Sequence, residues 1–192
     1  TIVEATSGNT GIAVSMFGAS KGYPVIIVMP SNMSEERKRM MRMFGAEVIE
    51  TDPGDFDGAI SLRDKMCEDP GFFNFNQFHN PDNITCHYET TGVEILEQTK
   101  GLPVAAFLDG TGTGGTLMGV SARLKERYPD IKTLAIEPAE SPVMSGGDPG
   151  LHGIQGIGDG SKFLVDLDKV DEVLLVKTDD AIERMKQLHQ RG

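Results

Sequence analysis

Cysteine is scarce in this chain: only Cys67 and Cys86 occur, with neither a CxxC pair nor metal-ligand spacing. A disulfide framework and a zinc site are thereby disfavoured, and a reducing compartment, the cytoplasm, is expected. Basic residues are few as well. The 18 Lys plus Arg stand against 29 Asp plus Glu, a formal net charge of −11, with no dense basic run. Binding a nucleic-acid backbone needs a positive patch, so nucleic acid is not an expected partner, and the acidity reads as solubility. Long apolar runs are missing too. Stretches such as "VIIVM" at 25–29 are far too short to span a bilayer, and the start lacks a signal-peptide pattern, so no membrane partner is expected. There is no internal repeat, no low-complexity tract and no initiator methionine. The chain opens on "TIVEA", already a strand pattern, and is expected to be a fragment of a longer protein.

What is present is globular material, 39% hydrophobic and 24% charged, which excludes disordered and collagen-like chains. A length of 192 residues suits one large domain or two small ones. "TIVEA" reads as a strand, the periodic run Ile12, Ala13, Met16, Phe17 as a helix closed by Gly22, and "PVIIVMP" as a second strand. That is a βαβ rhythm. Ser34 is placed to cap a helix with an acidic first turn, a basic body and Gly45 as its stop, an order of charge that suits the helix dipole. "AEVIE" follows as a strand, 55–67 as a helix and "FFNF" as a short strand, which together predict a parallel sheet.

A second block begins with a helix over 83–100 and continues with the strand "PVAAFL", the loop "DGTGTGGT" and a helix over 114–127. The strands "KTLAIEP" and "VDEVLLV" and an amphipathic helix over 178–189 complete it. Between those two strands lies a glycine-rich stretch over 138–160, of a length that is functional in most compact domains. The expected architecture is therefore α/β with two parallel-sheet lobes, residues 1–85 and 86–192.

The loop "GTGTGGT" at 110–116 follows an apolar strand and opens a helix, where backbone N–H groups and the helix N-terminus attract an anion. Glycines let the main chain approach closely, and the Thr113 and Thr116 hydroxyls add donors. Gly110, Gly112 and Gly115 also satisfy GxGxxG, with Glu137 about 20 residues on, where a dinucleotide site places its ribose-binding acid. An NAD-dependent oxidoreductase is thus an alternative, although this motif follows several βα units instead of opening the fold. No Walker lysine follows the glycines, so a P-loop is unsupported. A second polar nest is "TSGNTG" at 6–11. Ser7 or Asn9 alone reads as a helix cap, but capping takes one such residue and this loop supplies four hydroxyl or amide side chains. The two nests are expected on one sheet, gripping two ends of one ligand, and a third glycine loop, "GIQGIG" at 153–158, is placed to line the same site.

"TSGNTGIA", "MSEERK", "NQFHNPDN", "ETTGVEI", "GTGGTLMGV", "SPVMSGG" and "GIQGIG" occur in this order. Together they resemble the cysteine synthase (O-acetylserine sulfhydrylase) branch of the fold type II pyridoxal-phosphate enzymes, to which cystathionine β-synthase is closely related. The resemblance covers essentially the whole chain and implies three-layer α/β lobes of the tryptophan synthase β type, incomplete at both ends. It implies pyridoxal 5′-phosphate as cofactor, with its phosphate in the loop of Gly112, Thr113, Gly114, Gly115 and Thr116, its ring hydroxyl near Asn9, and Gly156 and Ile157 beside it. Thr6, Ser7, Gly8 and Thr10 match the loop that receives the substrate carboxylate, and Gln77 matches a glutamine on the opposite wall. The implied substrates are O-acetylserine and sulfide. A homodimer is implied, and so is docking of a serine acetyltransferase C-terminal tail.

The family's Schiff-base lysine lies in a segment upstream of the asparagine loop that has no counterpart here. Lys21, Lys38, Lys65 and Lys100 look solvated, and none matches that role. The serine-rich segment facing the pyridine nitrogen is missing as well, so the chain alone is expected to be inactive. The alternatives are a cystathionine β-synthase or O-phosphoserine sulfhydrylase reaction on the same scaffold, the NAD-dependent oxidoreductase, and a non-catalytic homologue kept for partner binding.

Overall fold

The computed structural model describes residues 1–6, 8–158 and 160–191. The chain divides into two compact units, Thr1–Gln77 and Phe78–Gly192. The boundary expected near residue 85 falls inside a helix of the second unit, Asp82–Glu89.

In the first unit, strands β1 (Ile2–Ala5), β2 (Val25–Pro30), β3 (Glu47–Thr51) and β4 (Phe73–Asn74) form a wholly parallel sheet in the order β3-β2-β1-β4. Ile2 lies opposite Val25 and Phe73, and Ile26 opposite Glu47. Helices α1 (Asn9–Lys21), α2 (Glu35–Met43) and α3 (Phe56–Met66) make the connections. The sheet is covered on both faces, which is why β2 reads as an unbroken apolar run. Val25, Ile27 and Met29 pack with Met41 of α2 and with Ile12 and Val14 of α1, whereas Val28 joins Val3, Ala5 and Ala59 of α3. Each fully buried Val, Ile or Met side chain among them contributes about 1.5–3 kcal/mol.

The ends of these helices follow local chemistry. Gly22 adopts a left-handed conformation at the end of α1 and its N–H returns to Ala19, as a helix stop requires. Asp55 caps α3 by accepting the Gly58 N–H at 2.8 Å. Ser34 stands at the cap position of α2 but its side chain makes no capping bond; Glu35 and Glu36 supply the favourable charge in the first turn.

In the second unit, β5 (Ala106–Gly110), β6 (Lys132–Pro138) and β7 (Glu172–Val176) form a second parallel sheet in the order β5-β6-β7. Its helices are α4 (Asp82–Glu89), α5 (Thr91–Gln98), α6 (Gly115–Lys125) and α7 (Thr178–Arg191), with a 3₁₀ turn at Leu167–Lys169. The single helix expected over 83–100 is two helices. Thr90 breaks it at φ −117° and ψ −79°, with its hydroxyl turned back onto the Cys86 carbonyl at 2.6 Å, the backbone competition that bends helices. The strand expected from Pro103 begins only at Ala106. Leu117, Met118, Ala135, Met144 and Val165 form one core cluster, and Val120, Leu124 and Ile131 another. Helix α6 crosses α4 closely, because a Cβ on Gly119 would stand 2.4 Å from the Ile84 carbonyl oxygen.

Among the described residues no helix is long and apolar enough to cross a membrane, and no group of three or more His, Cys, Asp or Glu side chains is placed to hold a metal ion. Cys67 and Cys86 are free thiols.

Candidate active site

The two polar nests stand on different sheets. Residues 6–11 follow β1 in the four-stranded sheet, and residues 110–116 follow β5 in the three-stranded one. The expectation of one shared sheet is thereby corrected: each glycine loop crowns its own unit, because β1 and β5 belong to separate cores.

In the first unit, α1 begins at Asn9 with Gly8 at the cap position, and no side chain caps it. Asn9 is exposed and its amide is not spent on the helix end. Thr6 is buried; its N–H donates to the Val28 carbonyl and its hydroxyl oxygen accepts the Gly8 N–H at 3.4 Å. Thr10 and Gln77, distant in sequence, meet: the Thr10 hydroxyl donates to Gln77 Oε1 at 2.7 Å, and Gln77 Nε2 donates to the Ala5 carbonyl at 3.4 Å. Since Oε1 is taken by Thr10, the amide presents N–H on its other side, the polarity a carboxylate needs. Ser7 lies outside the described residues. The first N–H groups of α1 lack intrahelical acceptors and add to this donor set.

The second unit builds a tighter nest. Gly114 takes φ +92°, and a Cβ there would stand 2.6 Å from a Val165 methyl carbon. A Cβ on Gly115 would stand 2.0 Å from Asn83 Oδ1. These glycines therefore serve backbone conformation and the α4–α6 crossing as much as any ligand, a role that reading them as anion-approach glycines missed. Asn83 Nδ2 donates to Thr113 Oγ1 at 3.0 Å, so the Thr113 hydroxyl, having accepted, keeps its own proton for an anion. Thr116 Oγ1 lies 3.2 Å from His87 Nε2, and His87 Nδ1 lies 3.0 Å from Thr91 Oγ1. Burial pushes the His87 imidazole below its usual pKa and keeps it neutral. Asn83 and His87 were not singled out from sequence. Their only signal was position on the helix that precedes the glycine loop.

The "GIQGIG" stretch packs onto this nest. The Gly158 N–H donates to the Thr111 carbonyl at 3.1 Å, and a Cβ on Gly112 would stand 3.0 Å from the Gly156 carbonyl oxygen. Gly156, at φ +89°, and Ile157 thus lie beside Gly112 and Gly110. The long connection is anchored by Glu137, 2% exposed, whose carboxylate accepts the Met144 N–H at 2.8 Å and the Ser145 N–H and hydroxyl at 2.9 and 2.7 Å. An acid so occupied is not available to a ribose, and the dinucleotide reading loses its recognition residue.

Lys38 is a further correction. It is 1% exposed, not solvated, and its ammonium donates to the Ser31 carbonyl, Glu35 and Glu50 at 2.6, 2.9 and 2.7 Å. Its hydrogen bonds to the Glu50 and Glu35 carboxylates hold its pKa above the usual lysine value, so it is a fixed cation and no free amine. Lys21, Lys65 and Lys100 are exposed, as expected.

One acid sits beside the second nest. Burial pushes the Asp109 carboxyl up to about 6, opposed by a hydrogen bond from the Leu117 N–H in the first turn of α6. The remaining donors there are neutral: the Thr113 hydroxyl, the Thr116 hydroxyl in the tautomer that puts the His87 proton on Nε2, and the N-terminal N–H groups of α6. A phosphate monoester fits this set, since neutral donors and a helix N-terminus accept a dianion without a lysine.

Comparison with known proteins agrees with that fit. The pyridoxal-phosphate dependent enzyme family matches residues 1–192. A cysteine synthase of Staphylococcus aureus is 45% identical over 98% of this chain and 61% of its own length. The solved cysteine synthase of Entamoeba histolytica is 46% identical with a TM-score of 0.88, covering 94% of this chain and 54% of that one. A hydrogen sulfide-producing enzyme of Fusobacterium nucleatum is 43% identical with a TM-score of 0.94, covering 100% of this chain and 59% of that one. The chain spans about three fifths of the length of the curated relatives it matches.

Proposed function

The chain belongs to the pyridoxal-phosphate-dependent enzymes, and from that premise we propose that it serves a cysteine synthase, replacing the acetoxy group of O-acetylserine with sulfide to make L-cysteine. When bound, pyridoxal phosphate supplies the electron sink that lets an amino acid lose its α-proton and β-substituent. Gly112, Thr113, Gly114, Gly115 and Thr116 hold the cofactor phosphate through neutral donors, with Gly156 and Ile157 alongside. Asn9 donates to the ring hydroxyl without adding charge. Thr6, Ser7, Gly8 and Thr10, with Gln77, receive the substrate carboxylate. The observation that carries the reading is the preset polarity of these groups. Asn83 leaves the Thr113 proton free, and Thr10 turns the Gln77 amide N–H outward.

The Schiff-base role belongs to none of Lys21, Lys38, Lys65 or Lys100. A homodimer, docking of a serine acetyltransferase C-terminal tail and a cytoplasmic location are parts of the same proposal and rest on the family resemblance. Assaying the pyridoxal-phosphate-loaded full-length protein that carries this chain, with O-acetylserine and sulfide, tests the reaction. L-cysteine formation is the expected result; a preference for homocysteine as nucleophile or O-phosphoserine as donor sinks it. The likeness to a hydrogen sulfide-producing enzyme favours one second reading, in which a cysteine thiol is the leaving group and sulfide the product. Sulfide release from L-cysteine exceeding cysteine synthesis would establish that one instead.

A further inference from the structure

Glu4 is fully buried in the middle of β1, flanked by the core residues Val3 and Ala5, and its partner across the layer is Arg63 of α3, 5% exposed. Arg63 NH1 stands 3.2 Å from Glu4 Oε1, while its Nε and NH2 are clamped by Asp64 Oδ1 at 2.9 and 2.7 Å. Two charges taken out of water in this way add little stability over apolar residues of similar size, so stability does not explain the pair. Its connections suggest another role. The Oε1 that meets Arg63 also accepts the Ala5 N–H at 3.0 Å, which pins the peptide at the mouth of the 6–11 loop. On the far side, the Ala5 carbonyl accepts from Gln77 Nε2 at 3.4 Å, and Gln77 Oε1 accepts from Thr10. Burial drives the Glu4 carboxyl pKa up, and Arg63 together with the Ala5 and Gln77 backbone opposes it, so the carboxylate's charge depends on this same set of neighbours.

We propose that Glu4 and Arg63 are positioning residues for amino-acid recognition: the buried pair fixes the Ala5 N–H and, through the Ala5 backbone torsions, the direction of its carbonyl in the next peptide unit, and that carbonyl holds the Gln77 amide with its N–H toward the substrate carboxylate. This inference rests on the assignment of Gln77 to that carboxylate made above. The amide has two orientations, and only one presents a donor. Thr10 selects it from the Oε1 side and Ala5 from the Nε2 side. The 3.4 Å bond is the weaker of the two, and it is the one that the Glu4–Arg63 pair controls.

The test is a double-mutant cycle in the pyridoxal-phosphate-loaded full-length protein that carries this chain. It reads the KM and kcat for O-acetyl-L-serine and the dissociation constant of L-alanine, which carries the carboxylate but no leaving group. Glu4→Gln is expected to raise the KM and the dissociation constant about tenfold, with kcat changed less than about twofold. In a Gln77→Ala background the same substitution should change neither. Arg63→Met should match Glu4→Gln, and Arg63→Lys, which keeps the charge, should restore most of the affinity. The Gln77 side-chain amide resonances of the cofactor-free protein, identified by their loss in Gln77→Ala, should move in Glu4→Gln. If Glu4→Gln fails to fold, Glu4→Gln combined with Arg63→Met removes both charges and takes its place. Should Gln77→Ala weaken binding while the Glu4 effect is absent, or simply adds to it, the positioning role is overturned and the carboxylate assignment stands. Should Gln77→Ala leave binding unchanged, the carboxylate assignment itself falls and this role with it.

Discussion

Residues 6–11 and 110–116 are both glycine-containing turns between a parallel strand and a helix, yet they are built on opposite terms. The second is crowded: a Cβ at Gly114 or Gly115 would meet Val165 or Asn83, so these glycines are demanded by neighbouring protein atoms. The first is crowded only where α1 is under way, at Gly11, whose Cβ would stand 2.7 Å from the Met41 methyl; at its cap it is open, a Cβ on Gly8 meeting nothing nearer than an Arg37 terminal nitrogen at 3.7 Å, and Asn9 is exposed. A crowded loop offers a rigid, preformed cradle, suited to a group that stays bound. An open cap leaves room for a group that arrives and departs, the difference that the proposed assignment of phosphate to one loop and substrate carboxylate to the other requires. The polar partners differ in the same sense. Thr113 and Thr116 are set by side chains of the adjacent α4, whereas Thr10 is met by Gln77, distant in sequence.

The sharpest way to break the comparison is to fill each loop. Gly114→Ala drives a methyl group against the Val165 side chain and backbone at φ +92°, and should cost about 3 kcal/mol or more in chemical denaturation. Gly8→Ala should cost less than about 1 kcal/mol while weakening amino-acid binding; equal losses from the two would erase the distinction. Thr113→Val removes the hydroxyl and strands the Asn83 amide. Pyridoxal-phosphate affinity should fall roughly 10- to 100-fold by fluorescence titration, with Thr10→Val leaving it unchanged.

The smallest expected effect concerns Asp109. Its folded-state pKa is raised from 3.8 to about 6, so its favourable contribution is fully present below pH 3.8 and is lost as pH climbs through about 6. Asp109→Asn should therefore be more stable than the parent at pH 7, by roughly 1 kcal/mol after allowance for solvent screening, and indistinguishable from it below about pH 4. Thermal melts across that range check the sign, and the same substitution should tighten phosphate binding above pH 6, where the carboxylate otherwise repels the anion.

Much of the architecture was legible because it is local. The apolar run of β2, the left-handed stop at Gly22, the Asp55 cap and the strand over 132–138 each follow from residues within a few positions of one another. The break at Thr90 was not, since a threonine that bends a helix by bonding to Cys86 looks no different in sequence from one that does not. Lys38 was misread for a related reason. Its helix is rich in charge, and only the approach of Glu50 from β3 and the Ser31 carbonyl makes its position a buried one.

Taken alone, the sequence determined the alternation of strand and helix, the parallel sheets that alternation forces, and the two glycine turns with their hydroxyl and amide side chains, because each depends on short-range spacing and on which residues tolerate a turn. The tertiary structure decided that the turns crown separate sheets. It decided that Glu137 is consumed by its own loop, that Asn83 prepares Thr113, and that Gln77 is held between Thr10 and Ala5. Those outcomes depend on which surfaces meet after the chain collapses, and the direction of a hydrogen bond is settled only when both of its partners are in place.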